Sequence, residues 1–551
     1  MIEYETTGST AREKTQWTIP AYVKPENAFK PDRIDFLFAL AAFALGYLFS
    51  CWILFVNSGW GVSAFTALYL LAVTVYLMRK GAFANSGAAW FWLAATLAAG
   101  LSYALWQNAS TMQYRILFLF CAAVYYVVAA SGRTIMGKTG NYLFIDGINA
   151  VIVLPFRNLL NQYVSFGALK KGKEGGRKTA AVAFGVALAF FLALWLTPLL
   201  KRADSGGFGK VLDFLAGVFA IEYYQLFKIL VYALCAVPIA AYLYGLVSGA
   251  AHRKGTDIIK PDSVKKTAAG MRFLQPATLF IALGAVCLLY VVFITSQLPY
   301  FFSAFTGRRP EGWLIYAEYA RQGFFELCKI AGINLFIITA GNLTCKKSRK
   351  DSRLLKAFNV ALAIITLVLI ATAFSKMALY IGAYGLTMPR LLPCVFMVFM
   401  AVVFIALLAL QKWDFSIVRL ALVTGSVMLC ALFLCNPDAL VVRYNTDRYL
   451  GGTLREYDTD ILYRAGYAGV LPAIEVYERT PDAQVRELVA QYLESQGDRL
   501  ERNPWGFGRG ANETSFEMHR ARNAILEHRG KQYSAGYLSI GSLYVLHLPD
   551  R

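Results

Sequence analysis

Long, uninterrupted apolar segments are the feature that most restricts what this chain can fold into. Each holds about 20 residues, which as an α-helix crosses the roughly 30 Å hydrocarbon layer of a membrane. Apolar and polar residues do not alternate within them, and a helix satisfies its own backbone hydrogen bonds in lipid. The predicted class is therefore an all-α polytopic transmembrane bundle. The eleven predicted spans are residues 36–56, 60–78, 88–106, 115–131, 180–200, 229–248, 277–295, 326–343, 357–373, 391–410 and 418–434.

Composition and charge divide the chain further. Hydrophobic residues make up 57% and charged residues only 16%, against about 25% charged in a soluble domain. Residues 437–551 hold 14 basic and 16 acidic side chains, whereas the residues before them carry a net charge of +22. We therefore predict a polar N-terminus (1–35), a transmembrane bundle (36–434) and a small, mainly helical soluble tail domain (435–551).

The distribution of lysine and arginine predicts the orientation. If the N-terminus is cytoplasmic, 29 of the basic residues before the tail lie on the cytoplasmic side and 11 on the other. Cytoplasmic loops carry such an excess, and the N-terminal stretch lacks the apolar core of a signal peptide. An odd number of spans then makes the tail extracytoplasmic. The expected location is the cytoplasmic membrane of a bacterium.

Cysteine and histidine argue against several kinds of chemistry. The nine cysteines fall almost entirely in apolar segments without a Cys-x-x-Cys pair, and only four histidines exist. We predict no metal, no cofactor and no catalytic set. The basic excess is typical of loops that face anionic lipid, so nucleic acid is not an expected partner.

One cytoplasmic loop combines an apolar helical face with a basic run. Apolar residues recur at helical spacing from Phe156 to Val164, and Lys170, Lys171 and Lys173 follow. This pattern predicts an interfacial helix near residues 155–170 with a patch that contacts anionic lipid headgroups. The alternative is an amphipathic connector packed on the bundle, with its charges in solvent.

Polar residues concentrate between residues 298 and 342, which start on the outer side and re-enter the membrane. Glu318, Arg321 and Glu326 are spaced so that they can share one helix face. Together with Arg308 and Arg309 they could form a ligand or ion site, because ionisable groups at a membrane boundary usually face a cavity or a partner. The alternative is structural, with Arg321 neutralising Glu318.

Three groups of motifs carry a family resemblance. Residues 300–305, 310–312 and 316–327 form the first, residues 376–380, 383–387 and Arg390 the second, and residues 444–445 and 448–450 the third. They resemble a family of bacterial multi-pass membrane proteins catalogued as the domain of unknown function numbered 4153, with its relative 4173. The resemblance implies the membrane class and carries no activity.

In the predicted topology all three motif groups lie on the outer side, where they could form one constellation. In a structural version the tail docks on the outer loops, and in a functional version arginines clamp an anionic headgroup, polymer or solute. The candidate residues are Arg308, Arg309, Glu311, Glu318, Arg321, Glu326, Lys376, Tyr384, Arg390, Asp447 and Arg448.

Three functions remain open at this stage. The first is transport or flipping of an anionic solute or lipid-linked group through the outer charged site. The second is a sensor or scaffold whose tail binds an envelope partner or works with a signalling protein. The third is a lipid-linked transferase, with Glu318 or Glu326 as a base. An enzyme is the less favoured class, because polytopic glycosyltransferases usually present acidic residues in a long first outer loop, and here that loop is only residues 57–59.

Overall fold

The computed structural model describes residues 29–134, 139–168, 196, 223–252, 261–301, 324–501 and 513–539 of the chain. Apart from one isolated bridge between Leu274 and Cys345, every regular element in these ranges is helical. The predicted all-α class is thereby confirmed. The helices are α1 (Arg33–Phe49), α2 (Trp60–Arg79), α3 (Gly87–Leu105), α4 (Met112–Ala130), α5 (Leu143–Ile148), α6 (Leu154–Arg157), α7 (Asn161–Ala168), α8 (Tyr223–Ala251), α9 (Pro261–Gly270), α10 (Pro276–Phe301), α11 (Phe324–Thr344), α12 (Arg353–Tyr384), α13 (Met388–Leu410), α14 (Ile417–Leu434), α15 (Pro437–Leu450), α16 (Asp460–Ala465), α17 (Val470–Arg479), α18 (Ala483–Glu501) and α19 (Phe516–Ser539).

Eleven helical segments of the described chain are long and apolar enough to cross a membrane. Ten of them overlap predicted spans. The eleventh, Leu143–Gly167, overlaps the segment near residues 155–170 for which an interfacial helix was predicted. The predicted span at residues 180–200 lies outside the described residues, as do Lys170, Lys171 and Lys173.

The segment Leu143–Gly167 is broken rather than straight. A π-helical stretch, Asn149–Val153, follows α5, and a turn at residues 158–160 separates α6 from α7. Tyr242 of α8 donates to the carbonyl of Val151 at 3.0 Å, and farther along the chain Ser165 bonds Tyr244 at 2.7 Å. The segment therefore reverses and lays both arms against one half of α8. Its position relative to the membrane surface stays a prediction.

Side-chain caps explain where four long helices begin. In each case an oxygen accepts a hydrogen bond from the backbone N–H three residues on, which satisfies a donor that the first turn leaves unpaired. The capping residues are Asp32 for α1, Ser86 for α3, Ser352 for α12 and Ser416 for α14.

Two hydrophobic cores organise the bundle. The first half consists of α1–α8 and is built around residues such as Tyr76, Tyr126 and Leu246; the second half consists of α10–α13, around Leu362 and Phe404. Helix α14 is shared, because its side chains pack on both cores. Helices α1 and α8 approach closely at Gly46, where a Cβ atom would lie 2.6 Å from the carbonyl oxygen of Ala236.

The tail, α15–α19, has a separate hydrophobic core, in which Leu462, Val489 and Tyr492 are buried. It contacts one end of the bundle, where the N–H of Trp60 donates to the carbonyl of Thr514 at 3.0 Å. We call this end the tail face. The other end, which carries the four caps, is called the opposite face.

Much of the bundle's outer surface is apolar. Ile281 is 74% exposed and Phe336 is 71% exposed, and large apolar side chains cover the outer sides of many other helices. A water-soluble monomer rarely exposes apolar area on this scale. The surface matches an integral membrane protein whose helices contact lipid.

Candidate functional site

Five of the predicted outer-site residues lie outside the described chain: Arg308, Arg309, Glu311, Glu318 and Arg321. The other six are described. Glu326 lies in the first turn of α11 and Lys376 lies in α12, while the remaining four lie where the tail meets the turn between α12 and α13. These four are Tyr384, Arg390, Asp447 and Arg448.

A buried asparagine joins the tail to this turn. Asn445 of α15 donates through Nδ2 to the carbonyl of Leu386 at 2.7 Å, and its Oδ1 accepts from the N–H of Leu386, also at 2.7 Å. Gly385 has a φ of +77°, and a Cβ atom there would lie 2.5 Å from the Asn445 Oδ1. Only glycine suits this backbone and this approach. We call this contact the Asn445 latch.

Two predicted arginines bind backbone carbonyls beside the latch. Arg448 donates to the carbonyl of Ile381 at 3.1 Å, and Arg390 donates to the carbonyl of Tyr384 at 2.9 Å. The Arg390 guanidinium also lies 4.1 Å from the centre of the Tyr380 ring. Cations at the end of α12 are favourable because carbonyls there lack helical partners. These contacts support docking, and anion binding by the two arginines stays a prediction.

Asp447 and Tyr384 each contact a residue of their own helix. The Asp447 carboxylate pairs with Arg443 of its own helix at 2.9 Å, and both side chains are more than half exposed. Tyr384 packs its ring against Tyr380, with 5.4 Å between ring centres. Asp447 therefore makes an exposed pair within α15.

The tail makes a second contact with the bundle, which the sequence did not predict. Glu517 of α19 accepts from the N–H of Gln107 at 3.0 Å and from the side-chain amide of Asn436. Asp438 of α15 accepts from the N–H of Ser110 at 3.3 Å. Both carboxylates are buried where the tail meets the turn between α3 and α4.

Arg115 is the cation of this region. Its side chain is 1% exposed, lies 3.8 Å from the centre of the Tyr103 ring and donates to the carbonyl of Gln107 at 2.7 Å. Burial raises the pKa of Asp438 and the pKa of Glu517, and the positive charge of Arg115 opposes both shifts. Arg115, Asp438 and Glu517 are called the Arg115 cluster.

A third polar group, also missed, lies on the opposite face. Asp35 is fully buried and accepts from Tyr76 at 2.6 Å, Lys80 at 2.7 Å and His252 at 2.9 Å. Lys80 also pairs with Asp32 at 2.8 Å. This Asp35 cluster connects the beginning of α1 with the ends of α2 and α8.

The two halves enclose an apolar groove of about 840 Å³. Phe118 and Leu143 line it from the first half, and Leu335 and Phe399 from the second. It extends along α14 from Ile417 at the opposite face to Leu429 near the tail face. The π-helical stretch after α5 contributes Val151 and Ile152. We call it the interhalf groove.

The latch predicts a sharp contrast between two nearby glycines. Gly385→Ala should destabilise the protein by about 2 kcal/mol, because alanine is strained at positive φ and contacts Asn445. Gly382→Ala, where a Cβ atom meets nothing within 4 Å, should be neutral or slightly stabilising. Thermal unfolding of the full chain in detergent measures both variants. Equal melting temperatures for the two variants would show that the Asn445 latch does not stabilise the protein.

The Arg115 cluster predicts a pH dependence of tail docking. Because burial raises the pKa of both carboxyls, the docked state binds protons more tightly than the undocked state. Docking should be strongest below the ordinary carboxyl pKa and weaken as pH rises through the raised values. The melting temperature of Glu517→Gln should depend less on pH than that of the wild type, whereas the exposed Asp447→Asn should keep the wild-type profile. Identical profiles for all three would contradict the prediction.

The Asp35 cluster predicts different costs for two neighbouring aspartates. Asp35→Asn should lower the free energy of unfolding by about 3 kcal/mol, since it leaves Lys80 buried with one partner fewer. Asp32→Asn should cost less than about 1 kcal/mol, because the Asp32 side chain is 54% exposed and asparagine also caps helices. Denaturation in mixed micelles compares them. A smaller effect at Asp35 than at Asp32 would contradict the assignment.

Comparison with known proteins identifies a family and nothing closer. No curated protein and no solved structure matches the chain. A family model matches residues 91–476, from α3 to α17, and so includes both sides of the Asn445 latch. The matched range is more than half of the chain, and the chain therefore belongs to the family described as "Domain of unknown function (DUF4153)".

Proposed function

We propose that this integral membrane protein is a carrier that moves a lipid or a lipid-linked anionic group between the two leaflets of a bacterial cytoplasmic membrane. The observation that carries the proposal is the interhalf groove. Its walls come from two separately packed halves, so a shift of one half against the other changes its shape. Moving elements of this kind are common in transporters.

The lining of the groove suits an acyl or isoprenoid chain. Nearly all side chains along it are apolar, and its volume of about 840 Å³ lies within the range of known ligand sites. A polar solute would lose its hydration against such walls without gaining hydrogen bonds. The groove thus favours an amphipathic substrate over a small free anion.

One cation, Arg419, and a polar pair lie near the opposite-face end of the groove. Arg419 lies one turn before Leu422, which lines the groove, and its Nε donates to the carbonyl of Thr139 at 2.7 Å. Ser416, at the start of the same helix, bonds the side chain of Asn141 at 3.3 Å. An anionic headgroup beside Arg419 would place its chain on the apolar wall.

The tail holds both halves at the tail face. The Asn445 latch contacts the turn between α12 and α13 in the second half. Glu517 contacts the turn between α3 and α4 in the first half. A domain that contacts both halves can control how far they separate, which supports a carrier whose opening is regulated by tail docking.

The proposed orientation places the opposite face in the cytoplasm. It rests on the excess of lysine and arginine in the loops assigned to that side. The opposite face also contains the exposed Lys350, which pairs with Asp414 at 2.6 Å. The tail domain is then extracytoplasmic, and anionic lipids are the proposed partners of the basic loops.

A groove-filling substitution tests the proposal. In vesicles that contain the full-length protein, fluorescent phosphatidylglycerol should move between leaflets faster than in protein-free vesicles, as measured by chemical quenching of the outer leaflet. Ala421→Trp places a large ring in the groove and should slow this movement about tenfold. Ala371→Trp, on the exposed side of α12, is the matched control and should retain the wild-type rate.

Two results would contradict the carrier. One is wild-type protein that moves fluorescent phosphatidylglycerol no faster than protein-free vesicles do. The other is an Ala421→Trp variant that folds with the wild-type melting temperature and transfers lipid at the wild-type rate. Fluorescent phosphatidylcholine in parallel vesicles reports whether the anionic headgroup matters, and equal rates for both lipids would contradict the selectivity at Arg419.

A further inference from the structure

A second apolar groove, of about 720 Å³, lies entirely within the first half of the bundle. Phe49 lines it from the end of α1 and Ile53 from the π-helical stretch that follows, while Phe120 lines it from α4, and Ile239 and Leu243 from α8. Residues of α14 do not take part in its described lining, and Val124 is the one described residue that lines both this groove and the interhalf groove. We call it the α4–α8 groove.

A buried hydrogen-bond acceptor lies at the tail-face end of this groove. Asn57 lines the groove, and its Oδ1 is buried without a hydrogen-bond partner among the described residues. A buried acceptor left unpaired costs about 1–3 kcal/mol. The backbone around it is held in an uncommon conformation, with a φ of +52° at Asn57. An unpaired acceptor at the end of an apolar groove calls for a ligand with a donor at its polar end.

The same end carries a cation and aromatic rings. The Lys228 ammonium lies 5.7 Å from the centre of the Tyr232 ring, and that ring lies 5.1 Å from Phe55, which follows the groove-lining Leu54. Trp52 and Trp60 pack together nearby, with 5.9 Å between ring centres. Aromatic and lysine side chains of this kind are typical of the level of lipid headgroups.

Two irregularities in the helices shape the wall. The groove is lined by Ile53 and Leu54 of the π-helical stretch Ser50–Leu54, and by Pro238 in the interior of α8. A π-helical turn is rare and is frequently found at a functional site, and proline removes a backbone hydrogen bond within a helix. Both irregularities therefore lie in the wall of the groove.

We propose that the α4–α8 groove binds one glycerophospholipid as a resident ligand, with its headgroup at the tail face. One acyl chain occupies the apolar wall, the phosphate faces Lys228, and a headgroup hydroxyl or ammonium donates to Oδ1 of Asn57. The ligand class is therefore a phospholipid whose headgroup is a hydrogen-bond donor, such as an ethanolamine or a glycerol. A choline headgroup has no donor and should bind less well.

Native mass spectrometry of the full chain tests this site. The protein is incorporated into nanodiscs of equal phosphatidylethanolamine, phosphatidylglycerol and phosphatidylcholine, released, and analysed for retained lipid. The wild type should retain one lipid, and both donor-bearing headgroups should exceed the choline lipid about fivefold, the effect of one hydrogen bond. Asn57→Gly keeps the positive φ without strain and should abolish the preference.

Replacing either of two alanines by phenylalanine distinguishes binding in the groove from binding elsewhere on the surface. Ala123→Phe fills the groove and should eliminate the retained lipid, while Ala44→Phe on the exposed side of α1 should leave it bound. Retention of the choline lipid as strongly as the others, or lipid on Ala123→Phe as on the wild type, would overturn the proposal. Failure here leaves the carrier proposal standing, because Ala123 does not line the interhalf groove.

Discussion

The cost of leaving a backbone polar group without a partner in an apolar medium governs this fold. Helices meet that requirement along their length but leave donors and acceptors at their ends. The structure places its most elaborate polar contacts at those ends. Asp32 and three serines cap helices at the opposite face, whereas at the tail face Trp106 and Asn108 donate to the last carbonyls of α14.

The same requirement explains how the tail is attached. The backbone of Leu386 lies buried in the turn after α12, and Asn445 supplies both a donor and an acceptor for it. Arg390 binds the carbonyl of Tyr384 at the end of α12, and Arg448 adds a hydrogen bond to the carbonyl of Ile381, which also accepts from the N–H of Gly385. Residues that look like a charged binding site in the sequence therefore contribute to the junction between two structural units. The docked tail, in turn, spans both halves of the bundle beside the interhalf groove.

Sequence reasoning succeeded where the signal is local and periodic. Apolar stretches of fixed length predicted ten of the described candidate spans. It was weakest at Leu143–Gly167, which is apolar enough to span but reverses at a turn. Asn445 and Leu386 belong to two of the motif groups that carry the family resemblance, yet neither was a candidate site residue. Asn445 is uncharged and Leu386 contributes only its backbone, so neither residue type indicates a binding site in the sequence.

The sequence by itself determined the membrane class and the approximate positions of most of the long apolar helices. Each of these depends on the hydrophobicity of a short stretch of sequence, which is the same whatever tertiary structure the chain adopts. Only the tertiary structure decided which polar residues meet. Asp35 pairs with a histidine 217 residues away, and Glu517 with a backbone N–H 410 residues away. The packing of the helices brings such partners together, and the spacing of residues along the chain does not predict them.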